Sequence, residues 1–282
     1  SRRPGGRARA DETGDDKMKQ VRFFPLALLA SALAWAFVGA PPAAAQQSTL
    51  TKVLESGKLR VGTTGDWNPM SMKDPASGSY AGFDIDVMTE LARDLGVEIE
   101  FVPTEWKTLV PGIVADKYDI STSASITTQR IRSVGFTDSY YTLGTVPLTQ
   151  KQNAERFTSW ESINQEGVTV AVTLGTSQEQ QVKTLFPKAT VRTIEAPARD
   201  FQEVLAGRAD VSVTSNVEAS KLVEAHDVLT IVPVEEPAAP ADIAFLVAQG
   251  DQVWLNYLNH WIRIKENQGF FDSLTEKWIP LN

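Results

Sequence analysis

This sequence predicts an α/β protein of two similar lobes, and three patterns predict it. Strand and helix signals alternate, which argues for mostly parallel sheets covered by helices. The alternation stops and then restarts on the same plan. In both runs a hydroxyl-rich or small-residue segment follows a strand, the place where α/β units hold ligands in a crevice.

The elements follow in chain order. Residues 18–45 carry a basic start (Lys19, Arg22), an apolar run from Phe23 to Val38 and small residues Ala43 to Ala45. That layout predicts a secretory signal peptide cut after Ala45. The apolar run is shorter than the roughly 20 residues that span hydrocarbon, and Pro41 and Pro42 interrupt it. Residues 1–17 have mixed charge and no apolar period, and are read as a non-native or mis-called upstream segment. Export leaves roughly 240 residues, enough for two lobes of about 100 each.

In the first run, Leu59 to Thr63 reads as a strand ending at the Gly65-Asp66 turn. Phe83, Val87, Leu91 and Leu95 recur on one helix face, and Gly96 stops that helix. Val97 to Val102 is a strand, Trp106 to Ala115 a second amphipathic helix, and Tyr118 to Ile120 opens a third strand. In the second run, strands are expected at Val168–Val172, Ala189–Thr193 and Ala209–Thr214. Helices are expected at Ser177–Phe186, Asp200–Ala206 and Val217–Ala225. A strand at Asp242–Ala248, a long helix at Gln252–Gln268 and a last helix at Phe271–Trp278 close the chain. The polar or Pro-rich segments Gln150–Arg156 and Val234–Pro240 are the expected crossings between lobes.

Composition removes several chemistries. The net charge of −8 argues against a nucleic-acid partner. There is no Cys, hence no disulfide, thiol nucleophile, thiolate metal site or lipid-attachment Cys, and a freely diffusing periplasmic protein is expected. The two His, His226 and His260, are far apart and offer little for a zinc site or a Ser-His-Asp triad. No cofactor and no metal are expected.

Four groups could hold a ligand. Trp67 and Trp106 lie near strand ends and could flank a planar or cationic group, or simply cap the core. Ser121 to Thr128 is rich in hydroxyls and leads to Arg130, whose fork of donors matches a carboxylate or sulfonate. The alternative for Arg130 is a surface pair with Asp138. Gly175-Thr176-Ser177 could present helix N–H groups to an anion, or be an N-cap. Glu218 follows Ser215 after the last strand of the second run. It is a general acid if the cleft desolvates it, and otherwise a solvated first-turn Glu.

Five segments, ESGKLRVGTTGDWNPM, YAGFDIDVMTELARDLG, VPTEWKTLVPGIVADKYDI, SITTQRIRSVGFTDSYY and GRADV, carry a resemblance. With them the chain resembles the type II periplasmic solute-binding proteins of the polar amino-acid family (bacterial extracellular solute-binding proteins, family 3). It is similar in particular to that family's cyclohexadienyl dehydratase branch. The resemblance implies two lobes joined by two hinge strands, with lobe 1 at 46–147 plus 243–282 and lobe 2 at 148–242. It implies that Arg130 clamps a ligand carboxylate, with Ser123 and Ser125 beside it and Thr176 as the donor from lobe 2. Trp67 and Trp106 take the stacking positions. The acid that holds a ligand amine in the family falls on Ser215, so a ligand with an acidic group and no primary amine, or a quaternary-ammonium zwitterion, is expected. The implied protein is a monomer that captures a small carboxylate, sulfonate or zwitterionic amino-acid-like solute for an inner-membrane ABC permease. The alternative is a prephenate or arogenate dehydratase in which Glu218 is the catalytic acid.

Overall fold

The computed structural model describes residues 47–280. The expected signal peptide (18–45) and the segment before it (1–17) lie outside the described residues. The first lobe begins with α1 (Thr49–Ser56), β1 (Lys58–Thr63) and a small antiparallel meander of β2 (Asp66–Trp67), β3 (Ser71–Lys73) and β4 (Tyr80–Ala81). It continues through α2 (Phe83–Leu95), β5 (Glu98–Pro103), α3 (Leu109–Val114), β6 (Ile120–Ser121), β7 (Ser123–Ser125) and β8 (Gly135–Phe136). Strand β9 (Tyr141–Gln150) leads into the second lobe, with α4 (Trp160–Ile163), β10 (Thr169–Thr173), α5 (Ser177–Leu185) and β11 (Thr190–Ile194). Then come α6 (Asp200–Leu205), β12 (Val211–Ser215), α7 (Asn216–Ala225) and β13 (Leu229–Ile231). Strand β14 (Ala238–Val247) returns to the first lobe, which α8 (Gln252–Asn267) and α9 (Phe270–Trp278) complete.

Each lobe has a parallel sheet of the same plan. β1 lies between β5 and β6, and β10 between β11 and β12. The central strands β1 and β10 are largely buried, and β10 (Thr169–Thr173) reads as an apolar run for that reason. In β10, Val170 and Val172 join one cluster with Phe157, Val182 and Phe186, while Ala171 joins another with Leu148, Val204 and Leu222. A separate cluster fills the first lobe, with Phe83, Met88 and Leu91 of α2 against Phe245, Trp254, Leu258 and Phe271. Gly96 caps α2 at φ 69°, a left-handed conformation that costs a glycine little.

The crossings differ from the expected loops. Within β9, Tyr141 to Leu143 pair with β14, and Thr145 to Thr149 pair with β12, so this strand itself runs from one lobe to the other. Gln150–Arg156 lies beyond the crossing, where Gln150 pairs with Leu229 of β13. Val234–Pro240 leads into β14, whose pairing with β9 is broken by a bulge between Ala238 and Ala241. Polar and Pro-rich composition marks exposed turns, whereas a crossing strand bonded on both edges is β-branched and reads as ordinary sheet. The expected helix at Trp106–Ala115 is also divided. A 3₁₀ turn at Trp106–Thr108 precedes α3, because Thr108 has left helical geometry (φ −107°, ψ 0°) and its hydroxyl takes the Glu105 N–H.

Candidate ligand-binding site

The C-terminal ends of the parallel strands in both lobes meet around a small cavity. Seven of the expected site residues line it: Trp67, Trp106, Ser125, Arg130, Thr176, Ser215 and Glu218.

Arg130 sits on the 3₁₀ turn that follows β7 and is buried to 8% exposure. Its Nη1 donates to the Ser125 carbonyl at 2.9 Å and its Nη2 to the Gly175 carbonyl at 2.9 Å, so one guanidinium bridges the two lobes. The alternative pair with Asp138 does not form. Among the described residues Arg130 makes no ion pair, and burial alone pulls its pKa down to about 10. A buried cation held only by neutral carbonyls lacks the counter-charge that desolvation demands.

The second lobe brings Gly175-Thr176-Ser177 to the same place. Thr176 is the N-cap of α5, its hydroxyl donating to the Thr173 carbonyl at 2.7 Å and accepting from the Glu179 N–H. The N-cap reading therefore holds, and the same residue faces the cavity. Gly175 has φ 84°, and a Cβ there would stand 2.3 Å from the backbone N of Lys107. Only glycine lets this turn approach the other lobe so closely. Ser177 Oγ donates across the cleft to Ser125 Oγ at 3.1 Å.

Trp67 and Trp106 form an edge-to-face pair, 5.4 Å between centroids and 76° between planes. Their indole N–H groups are both used: Trp67 donates to Ser215 Oγ at 3.2 Å and Trp106 to Asp66 Oδ1 at 3.1 Å. Ser215 is also the N-cap of α7, accepting from the Glu218 N–H. These bonds fix both rings, which line the cavity and also pack on the first-lobe core.

Glu218 is buried, not a solvated first-turn residue. It accepts from Thr214 Oγ1 and from Arg199 Nη2 at 2.8 and 3.0 Å. Arg199 also donates to the Asp66 carbonyl, pairs with the Asp66 carboxylate at 3.2 Å and faces Asp200 at 3.8 Å. One guanidinium thus meets three carboxylates. Burial pushes the Glu218 carboxyl up to about 7, against the pull of Arg199 and with help from Asp200 and Asp66. Burial raises Asp200 as well.

Sequence reasoning missed Arg199, Asp200 and Asp66 as a group. Arg199 and Asp200 open α6 just beyond β11, the same strand-end position as Gly175-Thr176-Ser177 beyond β10. That placement was the available signal. Ser123 departs from expectation. It does not line the cavity, because its N–H and hydroxyl both donate to Asp84 at 3.1 and 2.6 Å. Asp84 is fully buried, accepts also from the Tyr140 hydroxyl, and is pushed up to about 6 by burial.

These raised carboxyls set a pH dependence. Glu218 and Asp84 hold protons in the folded chain at pH values where the unfolded chain, with ordinary values of 4.5 and 3.8, has released them. Folding therefore gains stability as pH falls through 7 and 6 toward 4.5, and loses it as pH rises through that window. Between pH 7.5 and 5.5 the gain is on the order of 2 kcal/mol, a rise of about 5 °C in melting temperature. Calorimetry at the two pH values checks this; a melting temperature that falls on acidification contradicts it.

Two α/β lobes joined by paired crossing strands thus enclose a cavity lined by a buried guanidinium. The chain belongs to the bacterial extracellular solute-binding proteins, family 3, whose model matches residues 59–280. Its architecture is the two-lobed type II periplasmic binding-protein fold with two hinge strands. It is similar to the cyclohexadienyl dehydratase of Pseudomonas aeruginosa, 35% identical over 236 residues, covering 83% of this chain and 87% of that one. It is also similar to the L-cystine-binding protein TcyJ of Escherichia coli K12, 26% identical over 237 residues, with 83% and 87% covered. Among solved structures, an ancestral amino acid-binding protein described as a precursor of cyclohexadienyl dehydratase superposes with a TM-score of 0.76. It is 41% identical over 82% of this chain and 99% of that one.

Proposed function

We propose that the protein captures a small carboxylate, sulfonate or zwitterionic amino-acid-like solute in the cavity between its lobes, and delivers it to an inner-membrane ABC permease. One observation carries this reading: Arg130 is a buried guanidinium with no carboxylate partner among the described residues, in the lining of a two-lobed cavity. A carboxylate or sulfonate there gains two charge-assisted hydrogen bonds and supplies the missing counter-charge. Ser125, Thr176 and Ser215 line the remainder, and Trp67 and Trp106 form the walls. The lobes are 46–147 plus 243–282 and 148–242, hinged at β9 and β14. Export, in keeping with an extracellular solute-binding family, and a monomeric state complete the proposal.

The test is a thermal-shift screen of carboxylates, sulfonates and betaines on the purified protein. A ligand at 100 times its dissociation constant should stabilise the fold by about 2.7 kcal/mol. No shift with any acid contradicts capture.

A second reading, prephenate or arogenate dehydratase, is favoured by Glu218. This carboxyl lines the same cavity as Arg130 and is pushed to about 7, so it is partly protonated at neutral pH. It could protonate a leaving hydroxyl while Arg130 holds a carboxylate, and loss of carbon dioxide would complete the aromatic ring. The pairing with Arg199 opposes this by stabilising the ionised form. Mixing the protein with prephenate decides. Capture alone predicts no phenylpyruvate absorbance. Turnover that falls at least 100-fold in Glu218→Gln would establish the dehydratase.

A further inference from the structure

The acidic end of the cavity already holds a cation from the chain itself. Glu218 from α7, Asp200 from α6 and Asp66 from β2 converge on Arg199, and no other Lys or Arg pairs with any of the three among the described residues. Arg199 is buried to 7% exposure and lines the cavity with Arg130. Its Nη1 also reaches the backbone carbonyl of Asp66 on the opposite lobe. This guanidinium therefore joins the lobes while it binds both oxygens of Glu218 and pairs with Asp66; Asp200 stands 3.8 Å away, its Oδ2 buried without a hydrogen-bond partner.

We propose that Arg199 is a built-in cation that sets the charge class of the ligand: it occupies the acidic end of the cavity, so the site accepts a small acid and rejects basic amino acids. The proposal rests on the reading that Arg130 anchors an anionic group. A ligand that carries a carboxylate and a distal cation would place the first on Arg130 and the second among Glu218, Asp200 and Asp66. That second position is filled. An incoming ammonium or guanidinium must evict a group that already holds both oxygens of Glu218 and a carbonyl of the facing lobe. It would also meet the positive charge of Arg199 in a medium of low dielectric. A ligand without a distal cation meets neither obstacle. The chain thus carries, as a side chain, the positive charge that a basic ligand would otherwise bring.

The test is a gain of binding. L-Arginine and L-lysine are titrated calorimetrically into the unaltered protein, Arg199→Ala and Arg199→Lys. The unaltered protein should bind both at least tenfold more weakly than Arg199→Ala does. Arg199→Lys, which keeps a cation among the acids, should not gain. Millimolar methylguanidinium should raise the melting temperature of Arg199→Ala and leave that of the unaltered protein in place. Should Arg199→Ala fail to fold, Arg199→Gln, which keeps length and donors without charge, takes its place with the same expected gain. Tight binding of L-arginine by the unaltered protein, or a folded neutral variant with no gain, overturns the proposal. The two readings separate cleanly. A neutral variant that gains L-arginine, beside an unaltered protein that binds no acid, removes anion capture and leaves the role of Arg199 standing. An unaltered protein that binds both an acid and L-arginine does the reverse.

Discussion

Replacing Arg130 by Ala should cost about 2–5 kcal/mol of affinity for a captured carboxylate, roughly 30- to 5,000-fold in dissociation constant. The side chain is buried, and among the described residues its only partners are the carbonyls of Ser125 and Gly175. An anion in the cavity finds its counter-charge in this guanidinium, since Arg199 is committed to three carboxylates. The unliganded protein should respond in the opposite sense. Burial already pulls the Arg130 pKa down, so the folded chain bears the cost of an uncompensated charge. Arg130→Ala should therefore melt at the same temperature as the unaltered protein or above it, while ligand-induced stabilisation disappears. That opposition between stability and binding is the signature of a residue kept for its ligand. Titration calorimetry and thermal unfolding, with and without the acid, measure both halves. An unchanged dissociation constant removes Arg130 from the site.

Replacing Asp84 by Ala should destabilise the fold by about 3–5 kcal/mol, because three buried donors lose one acceptor. The donors are the Ser123 N–H, the Ser123 hydroxyl and the Tyr140 hydroxyl. Tyr140 packs against Phe245 and Phe271, so its hydroxyl has no route to water without disturbing the first-lobe core. Asp84→Asn should cost less, since its amide oxygen can take both Ser123 donors and its NH₂ can donate to the Tyr140 hydroxyl oxygen. Binding should weaken too. Ser123 and Ser125 share β7, and Ser125 supplies both the carbonyl that holds Arg130 and the hydroxyl that meets Ser177. Urea unfolding of the three proteins gives the stabilities. A loss below about 1 kcal/mol for Asp84→Ala would mean that the pocket around Asp84 admits water.

What the sequence revealed and what it concealed follow from the range of the interactions. The Phe83–Leu95 helix was legible because Phe83, Val87 and Leu91 bury one face against the core and Gly96 adopts the left-handed cap. Strand β10 was legible as a short apolar run before a glycine turn, and β1 by its alternating Leu59 and Val61 before the Gly65 turn. The meander β2–β4 was not, since two- and three-residue strands leave no period. Strand β9 was hidden for another reason: Tyr141–Gln150 joins two lobes, and its pairing partners lie some sixty to one hundred residues away.

The site divides the same way. Arg130, Trp67, Trp106, Ser125, Thr176, Ser215 and Glu218 stand at strand ends, a rule of topology that sequence can carry. Ser123 shares the face and spacing of Ser125, and only the buried carboxylate of Asp84, 39 residues away, turns it from the cavity. Arg199 is one of 27 Lys and Arg residues, and nothing local sets it apart. Its role comes from Asp66, 133 residues earlier, and from Glu218, 19 residues later.

The most direct measurement is a crystal structure of the protein with the carboxylate that gives the largest shift in the thermal screen. The account predicts that acid between the two lobes, with its carboxylate oxygens within about 3 Å of the Arg130 guanidinium and Arg199 still among Glu218, Asp66 and Asp200. A ligand bound elsewhere, or bound in the cleft with its carboxylate away from Arg130, would contradict it.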